Sequence, residues 1–548
     1  MISQGTEMII RKKPLLVSAL SFFCLNCNGK TTSVVAVLIG FTAVAFAVVK
    51  SENDPCGDTL RKSGSLLSDA FYILSAIGIC TGCADSFYYY MSRMEQFGIP
   101  AGGYGGFKTV IAAACIFAAA LSVYFVYVCL RIFRDRIMAQ VDGDLFHISQ
   151  AEKIIYAVIF IIGCVYITAS FTKSCAFYNT DAFNVNFDVI YTGDSNILMR
   201  PNSFLWLCHP ENDLRQPLFA LFSAPFMGLP YLIGRPFSFT VRAIIMDITQ
   251  FGILLISFFL LARILKLKTL CRISFMIFAC STYTCLLFTV MMEQYIIAFF
   301  WLVFMICQIT MERETDRLVF TAAGGTLLTG ILLLPFVIKV NLLKKPGEWI
   351  GTCGKFLCCF AGMLVAFCRY DVILNVFSQA SYLSGFAGGK VPVQNRFMQF
   401  TWYIKNCFTA PNAGADHVYY ADHSAWLLRP VTAYSAAGIM ILVLSITSGI
   451  INRKKKITKI AVFWVGVSII ILAVMGWGTI ENGLIIYSLY FGWAFFVLLF
   501  QLIQNIAEIT GITGMVPAVT AISCTAMLIV NIPAVSEMVE FASLYYPA

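Results

Sequence analysis

Apolar runs of about 17–25 residues recur from one end of this chain to the other, the spacing a bilayer core demands of the helices that cross it. Only 12% of the 548 residues are charged. A soluble domain carries about twice that share, so most of this chain's surface faces something other than water. Spans are expected near 31–49, 109–130, 154–171, 239–262, 273–292, 293–309, 349–368, 431–451, 460–477, 484–505 and 514–532. The fold class is therefore an all-α polytopic bundle in the cell membrane, with about 11–13 transmembrane helices. Arg11, Lys12 and Lys13 precede a weak apolar stretch, and no small-residue cleavage site follows 31–49, so the first span is expected to be an uncleaved anchor.

The net charge of +9 does not point to nucleic acid, because the basic residues sit in short clusters between apolar runs. Arg263, Lys266, Lys268 and Arg272 form one cluster. Arg453, Lys454, Lys455, Lys456 and Lys459 form another. Retention of such clusters on the cytoplasmic side places loops 172–216 and 369–430 outside. The run 273–309 is too long for one crossing at 1.5 Å per residue. Its single charged residue, Glu293, falls near its middle and predicts a helical hairpin turning there on the outer side. Segment 318–340, with Gly324, Gly325 and Gly330, is read as entering and returning, which keeps Lys344 and Lys345 inside. Segment 65–92 is apolar but carries Asp69 and Asp85, and is read as interfacial. Three stretches follow: an N-terminal membrane segment 1–153, a central module 154–310 with its acidic outer loop in 172–238, and a C-terminal scaffold 311–548 with outer loop 369–430.

Polar chemistry concentrates after the span at 154–171. Asp181, Asp188 and Asp194 lead into His209-Pro210-Glu211-Asn212-Asp213-Leu214-Arg215-Gln216-Pro217-Leu218, then an apolar segment with three prolines, 217–234, expected to lie along the membrane surface. Arg242 opens the next span. A carboxylate near the membrane surface is partly desolvated, which suits it to act as a base, and Arg and Gln can grip phosphate or sugar hydroxyls. The plain reading is also open: loop acids are ordinarily just solvated, Arg242 fits a headgroup anchor, and Glu293 fits a solvated turn.

An acidic loop after an early span, a His-Pro and Pro-Leu motif on a juxtamembrane helix, and an Arg opening the next span resemble the GT-C superfamily of integral-membrane glycosyltransferases, which includes the protein mannosyltransferases and the aminoarabinose transferases. The resemblance covers about 155–310, and this chain departs from it by inserting Glu211–Gln216 between His209-Pro210 and Pro217-Leu218. It implies a GT-C-like bundle with an extracytoplasmic loop and juxtamembrane helices. It also implies transfer of a sugar from a polyprenyl-phosphate donor to a glycan, lipid or protein acceptor. One of the loop acids would be catalytic. Asp194 leads because it is nearest the stretch to His209, and Asp188 is second. His209, Asp213, Arg215, Gln216, Arg242, Glu293 and Arg396 are the expected substrate-binding residues.

No metal or cofactor is fixed by the sequence, although Glu211 with Asp213 is a candidate for a divalent cation. The pairs Asp416-His417 and Asp422-His423, and the two CxxC pairs Cys24/Cys27 and Cys80/Cys83, lack the companions a zinc site needs. Cys175 and Cys208 flank the acidic loop and could bridge in an oxidising compartment. The alternatives are a polysaccharide polymerase centred on loop 369–430 and Arg396, a transporter or lipid flippase, and a non-catalytic scaffold.

Overall fold

The computed structural model describes residues 2–27, 31–50, 66–92, 104–139, 148–179, 183, 189–191, 193, 198–199, 202–207, 215–311, 314–340, 342–367, 369, 377, 381, 384–416, 423–480, 484–512 and 514–548. The expected catalytic residues Asp194 and Asp188, with Asp181, His209, Glu211 and Asp213, lie outside the described residues, as do Cys208, His417 and Asp422. Among the described residues, eight helices are long and apolar enough to cross a membrane. The chain is an all-α, multi-pass membrane protein.

Four helices precede the acidic loop's own span: α1 (Ile2–Leu25), α2 (Thr31–Lys50), α3 (Leu66–Ser92) and α4 (Tyr104–Met138). Helix α5 (Gln150–Lys173) starts in a capping box, where the Ser149 hydroxyl accepts from Glu152 N and Glu152 accepts from Ser149 N. After α6 (Phe219–Gly234) comes α7 (Phe239–Ile264), N-capped by Ser238. Helices α5 and α7 pack antiparallel. At one end the buried Glu152 carboxylate takes two bonds from Arg272, at 2.6 and 3.0 Å, with Arg263 at 3.7 Å. At the other end Tyr178, just beyond α5, hydrogen-bonds Thr240 at 2.9 Å. The chain's last residues close over this second end, with Ser174 Oγ bonded to the Ala542 carbonyl at 2.8 Å.

Two expectations need correction. Segment 65–92, read as interfacial, forms the 27-residue α3, one of the helices able to cross. The acids that argued against crossing are matched by cations: Asp69 pairs with the buried Arg131, and Asp85 accepts from Arg235 at 2.8 Å and from the Tyr231 hydroxyl at 2.7 Å. Paired charge lets an apolar helix keep its acids. Segment 217–234, expected on the membrane surface, is instead packed inside the bundle as α6. It runs beside α3, so close at Gly228 that a Cβ on Gly78 would overlap the Gly228 carbonyl. A surface helix keeps a wet face, whereas only Ile233 of α6 is exposed. Small residues at the crossing permit the approach.

The long run 273–309 is broken. Helix α8 (Thr269–Ser281) ends at Thr282, which caps the short α9 (Tyr283–Phe288), and α10 begins only at Tyr295 and runs to Thr310. Glu293 lies in the gap. Next, α11 (Arg317–Thr326) stops at Leu327. A 3₁₀ turn, Leu328–Leu333, then doubles back on it, placing Ile331 against Gly324, and leads into the short α12 (Leu334–Val337). Helices α13 (Pro346–Ala366), α14 (Val393–Asn406), α15 (Ala436–Ile451), α16 (Lys456–Ser468), α17 (Ser488–Thr510) and α18 (Met515–Tyr545) complete the bundle. Helix α16 runs on through a π-helical stretch, Ile469–Val474. The small antiparallel pair β1 (Ala413–Asp416) and β2 (Ala425–Leu428) belongs to the second loop. One continuous apolar core links all three stretches.

Candidate functional site

The two polar loops expected on one side of the membrane do share one end of the bundle. Trp426, on β2, donates its backbone N–H to the Val189 carbonyl at 2.7 Å, and Tyr191 N donates back to the Trp426 carbonyl at 2.9 Å. The Tyr191 side chain then dips inward, where its hydroxyl meets that of Tyr283 at 2.7 Å and accepts from Trp426 Nε1 at 3.2 Å. Two residues on, Gly193 lies against Glu293: a Cβ there would collide with Met291 and sit 2.6 Å from Glu293 Oε1. Glycine at 193 is thus what allows the acidic loop to rest on the helix break. Asp194 is the next residue in the chain.

Glu293 is fully buried. Its carbonyl accepts from Gln250 Nε2, on α7, at 2.8 Å. A break between α9 and α10 leaves carbonyls without helical partners, and Gln250 satisfies one of them. Beside Glu293 opens a cavity of about 290 Å³ lined by both sequence-expected residues Arg215 and Gln216. The segment carrying them is held by the α11 hairpin: Leu328 N donates to the Arg215 carbonyl at 3.0 Å, and Leu218 N donates to the Gly325 carbonyl at 2.8 Å. Gln216 donates to the Tyr490 hydroxyl, and both Arg215 and Glu293 lie within electrostatic reach of that hydroxyl.

The cavity walls divide by chemistry. Tyr295, Tyr487, Tyr490, Phe491 and Trp477 supply aromatic side chains, the rings of Tyr295 and Tyr490 meeting edge-on at 4.7 Å. Leu327, Leu328, Ile471 and Met475 supply an apolar side. Two buried polar atoms on the lining, Gln216 Oε1 and Thr329 Oγ1, have no hydrogen-bond partner among the described residues. Buried polar atoms are ordinarily satisfied, so these two are candidates to engage a ligand. The combination suits a molecule with an anionic or hydroxyl-rich head and an apolar continuation.

The remaining expected residues lie elsewhere. Arg242 stacks over Phe239 and Tyr231, its guanidinium carbon 4.8 and 5.5 Å from the ring centres. It belongs to the cluster of Tyr231, Asp85 and Arg235, where the hydrogen-bonded Asp85 carboxylate holds the Arg235 guanidinium above its ordinary value. Arg396 directs its donors to carbonyls: Nε to Val391 at 2.8 Å, Nη1 to Val474 at 2.8 Å and Nη2 to Gly389 at 3.2 Å. It clamps the end of the π-helical stretch, from which Met475 and Trp477 reach the cavity. Among the described residues, no group of three metal-binding side chains comes together.

Sequence reasoning passed over Gln250, Thr329 and the tyrosines, which carry no local signal. It also passed over Asp247, a carboxylate inside the apolar run of α7. That residue did have a signal, since an acid within a span is by itself a functional hypothesis. No family model, curated protein or solved structure matches this chain.

Proposed function

We propose that this protein is a membrane glycosyltransferase that takes a sugar from a polyprenyl-phosphate-linked donor and passes it to an acceptor on the outer side. The observation that carries the reading is the Arg215 cavity. A cation, two polar atoms without partners among the described residues and five aromatic side chains stand beside an apolar wall, next to the buried Glu293 on which the acidic loop rests. Arg215 would hold the donor phosphate and so stabilise the charge that develops as the sugar leaves. Tyr295, Tyr487, Tyr490 and Trp477 would hold the sugar. Asp194, one residue past Gly193, is the proposed base that deprotonates the acceptor hydroxyl, with Asp188 second. The resemblance to the GT-C superfamily through the acidic loop, His209-Pro210 with Pro217-Leu218, and Arg242 supports a glycosyltransferase, while Arg215 and Gln216 lie in the insertion by which this chain departs from that family.

A second reading rests on a different observation. Glu293 and Asp247 are buried, and Glu293 lies at a helix break, an arrangement that transporters and flippases use for their substrates. One assay separates the two. Purified protein in liposomes is given a radiolabelled polyprenyl-phosphate sugar and membrane-extract acceptors. The glycosyltransferase reading expects a new glycosidic bond, and a loss of roughly 10²–10⁴-fold in rate for Asp194→Asn. Movement of the labelled lipid between leaflets without any bond formed would replace it with the transporter.

A further inference from the structure

Asp247 is the least expected buried group in the molecule. It is 1% exposed, and neither carboxyl oxygen has a hydrogen-bond partner among the described residues. It lies eight residues into α7, about 12 Å along the helix from Phe239 at 1.5 Å per residue. An ionised carboxylate left unpaired at such a place costs far more than folding can offset, so the group carries a proton or engages a ligand. Tyr166, on the facing α5, is within electrostatic reach of it, and the buried Tyr166 hydroxyl is also without a partner among the described residues. Gln250, one turn further along α7, has an Oε1 without a partner among the described residues.

Tyr166 also lines a second cavity, of about 470 Å³, between α5 and α18. Along the helices, one end of its lining carries Ile159, Ile277 and Leu528, and the other Tyr166, Thr289 and Ser536. Helices α5 and α18 turn many exposed apolar side chains outward, among them Ile161, Ile162, Val165, Ile529 and Ile532. In a bilayer the cavity therefore opens sideways into lipid. Among the described residues, no Lys or Arg lines it. The titratable groups within electrostatic reach of Tyr166 are Asp247 on α7, Cys285 on α9 and Tyr191, whose hydroxyl meets that of Tyr283. On its own helix, Arg242 is turned to Phe239 and Tyr231.

Asp247 is not itself on the lining, but Phe251, one turn further along α7, is, and its ring lies against Gly163 of α5, which brings Asp247 level with Tyr166. We propose that this lateral cavity binds an uncharged long-chain membrane alcohol, whose hydroxyl is held by Tyr166 with Asp247 behind it. The apolar part takes the chain, and the Tyr166 phenol on the lining, backed by Asp247, takes the head. A phosphate head would bring negative charge to an acid with no cation lining the cavity. An ammonium would require two ions to be desolvated at this depth. A neutral acid, a phenol and an alcohol can instead satisfy one another, each donating once and accepting once. The site is separate from the Arg215 cavity and does not depend on the glycosyltransferase reading.

The test uses the full-length protein in liposomes and dicyclohexylcarbodiimide, a lipid-soluble reagent that adds to protonated carboxylic acids. Mass spectrometry is expected to find the adduct on Asp247 and to show that farnesol suppresses it at least tenfold. A diazirine-bearing farnesol should cross-link to peptides 159–166 and 528–536. Asp247→Asn, which keeps the shape of the side chain, should lose the adduct and weaken the cross-link. Ile532→Trp, placed at the exposed rim, should block the cross-link without disturbing the fold. An Asp247 that never reacts, an adduct indifferent to farnesol, or stronger protection by hexadecylamine than by farnesol would each overturn the proposal.

Discussion

Glu152 and Asp247 sit toward opposite ends of the same antiparallel helix pair, α5 with α7, and both carboxylates are buried. Glu152 is satisfied on every side: Arg272 grips it twice, Arg263 stands beside it, and the Ser149 backbone and hydroxyl both donate to it. Asp247 has no such partners among the described residues. The first carboxylate ties a helix end to a basic cluster and contributes to stability. The second contributes nothing to the resting fold that its contacts reveal, which is why it is read as a ligand group. A buried acid is informative through its partners, not its burial.

That contrast can be broken by substitution. Glu152→Ala strands Arg263 and Arg272 without their carboxylate, and removing one member of a buried pair typically costs about 3–5 kcal/mol. Of three variants, Glu152→Ala, Arg396→Met and Asp247→Asn, it should show the largest fall in thermal unfolding midpoint in detergent. Arg396→Met leaves the Val391, Val474 and Gly389 carbonyls without their donor. An intermediate loss of about 1–3 kcal/mol is expected, with weaker donor binding because the π-helical stretch positions Met475 and Trp477. Asp247→Asn should move stability least, by about 1 kcal/mol or less, in either direction. If Asp247→Asn destabilised as much as Glu152→Ala, the division between a structural acid and a ligand acid would fail.

Much of this architecture is legible in the sequence because apolar length and charge placement report directly on burial in a bilayer. The run at 239–262 corresponds to α7 (Phe239–Ile264) and that at 154–171 to α5 (Gln150–Lys173). Glu293 marks its helix break for the same reason, since one charge within an apolar run must be met by special structure. Segment 65–92 misleads because Asp69 and Asp85 look prohibitive until Arg131 and Arg235 are placed beside them, and those partners come from distant parts of the chain. The prolines of 217–234 suggest a surface helix. The decisive fact is the Gly78–Gly228 contact, which only three-dimensional packing reveals. At the site, Arg215 and Gln216 stand out as part of the polar stretch 209–218 that interrupts the apolar runs. Tyr490, Thr329 and Gln250 do not, because each is unremarkable in its own segment and gains meaning only from what folds against it.

If phosphate is held at the Arg215 cavity and not at the Arg242 cluster, steady-state sugar transfer by two matched variants shows it most directly. Arg215→Gln should raise the KM for the polyprenyl-phosphate donor by roughly 10–100-fold, as expected for one charge-assisted contact worth about 1.5–3 kcal/mol. Arg242→Gln, which among the described residues removes stacking on Phe239 and Tyr231, should stay within a few-fold of the unmodified protein. The reverse result, with Arg242→Gln losing donor affinity and Arg215→Gln retaining it, would contradict the assignment of the donor site.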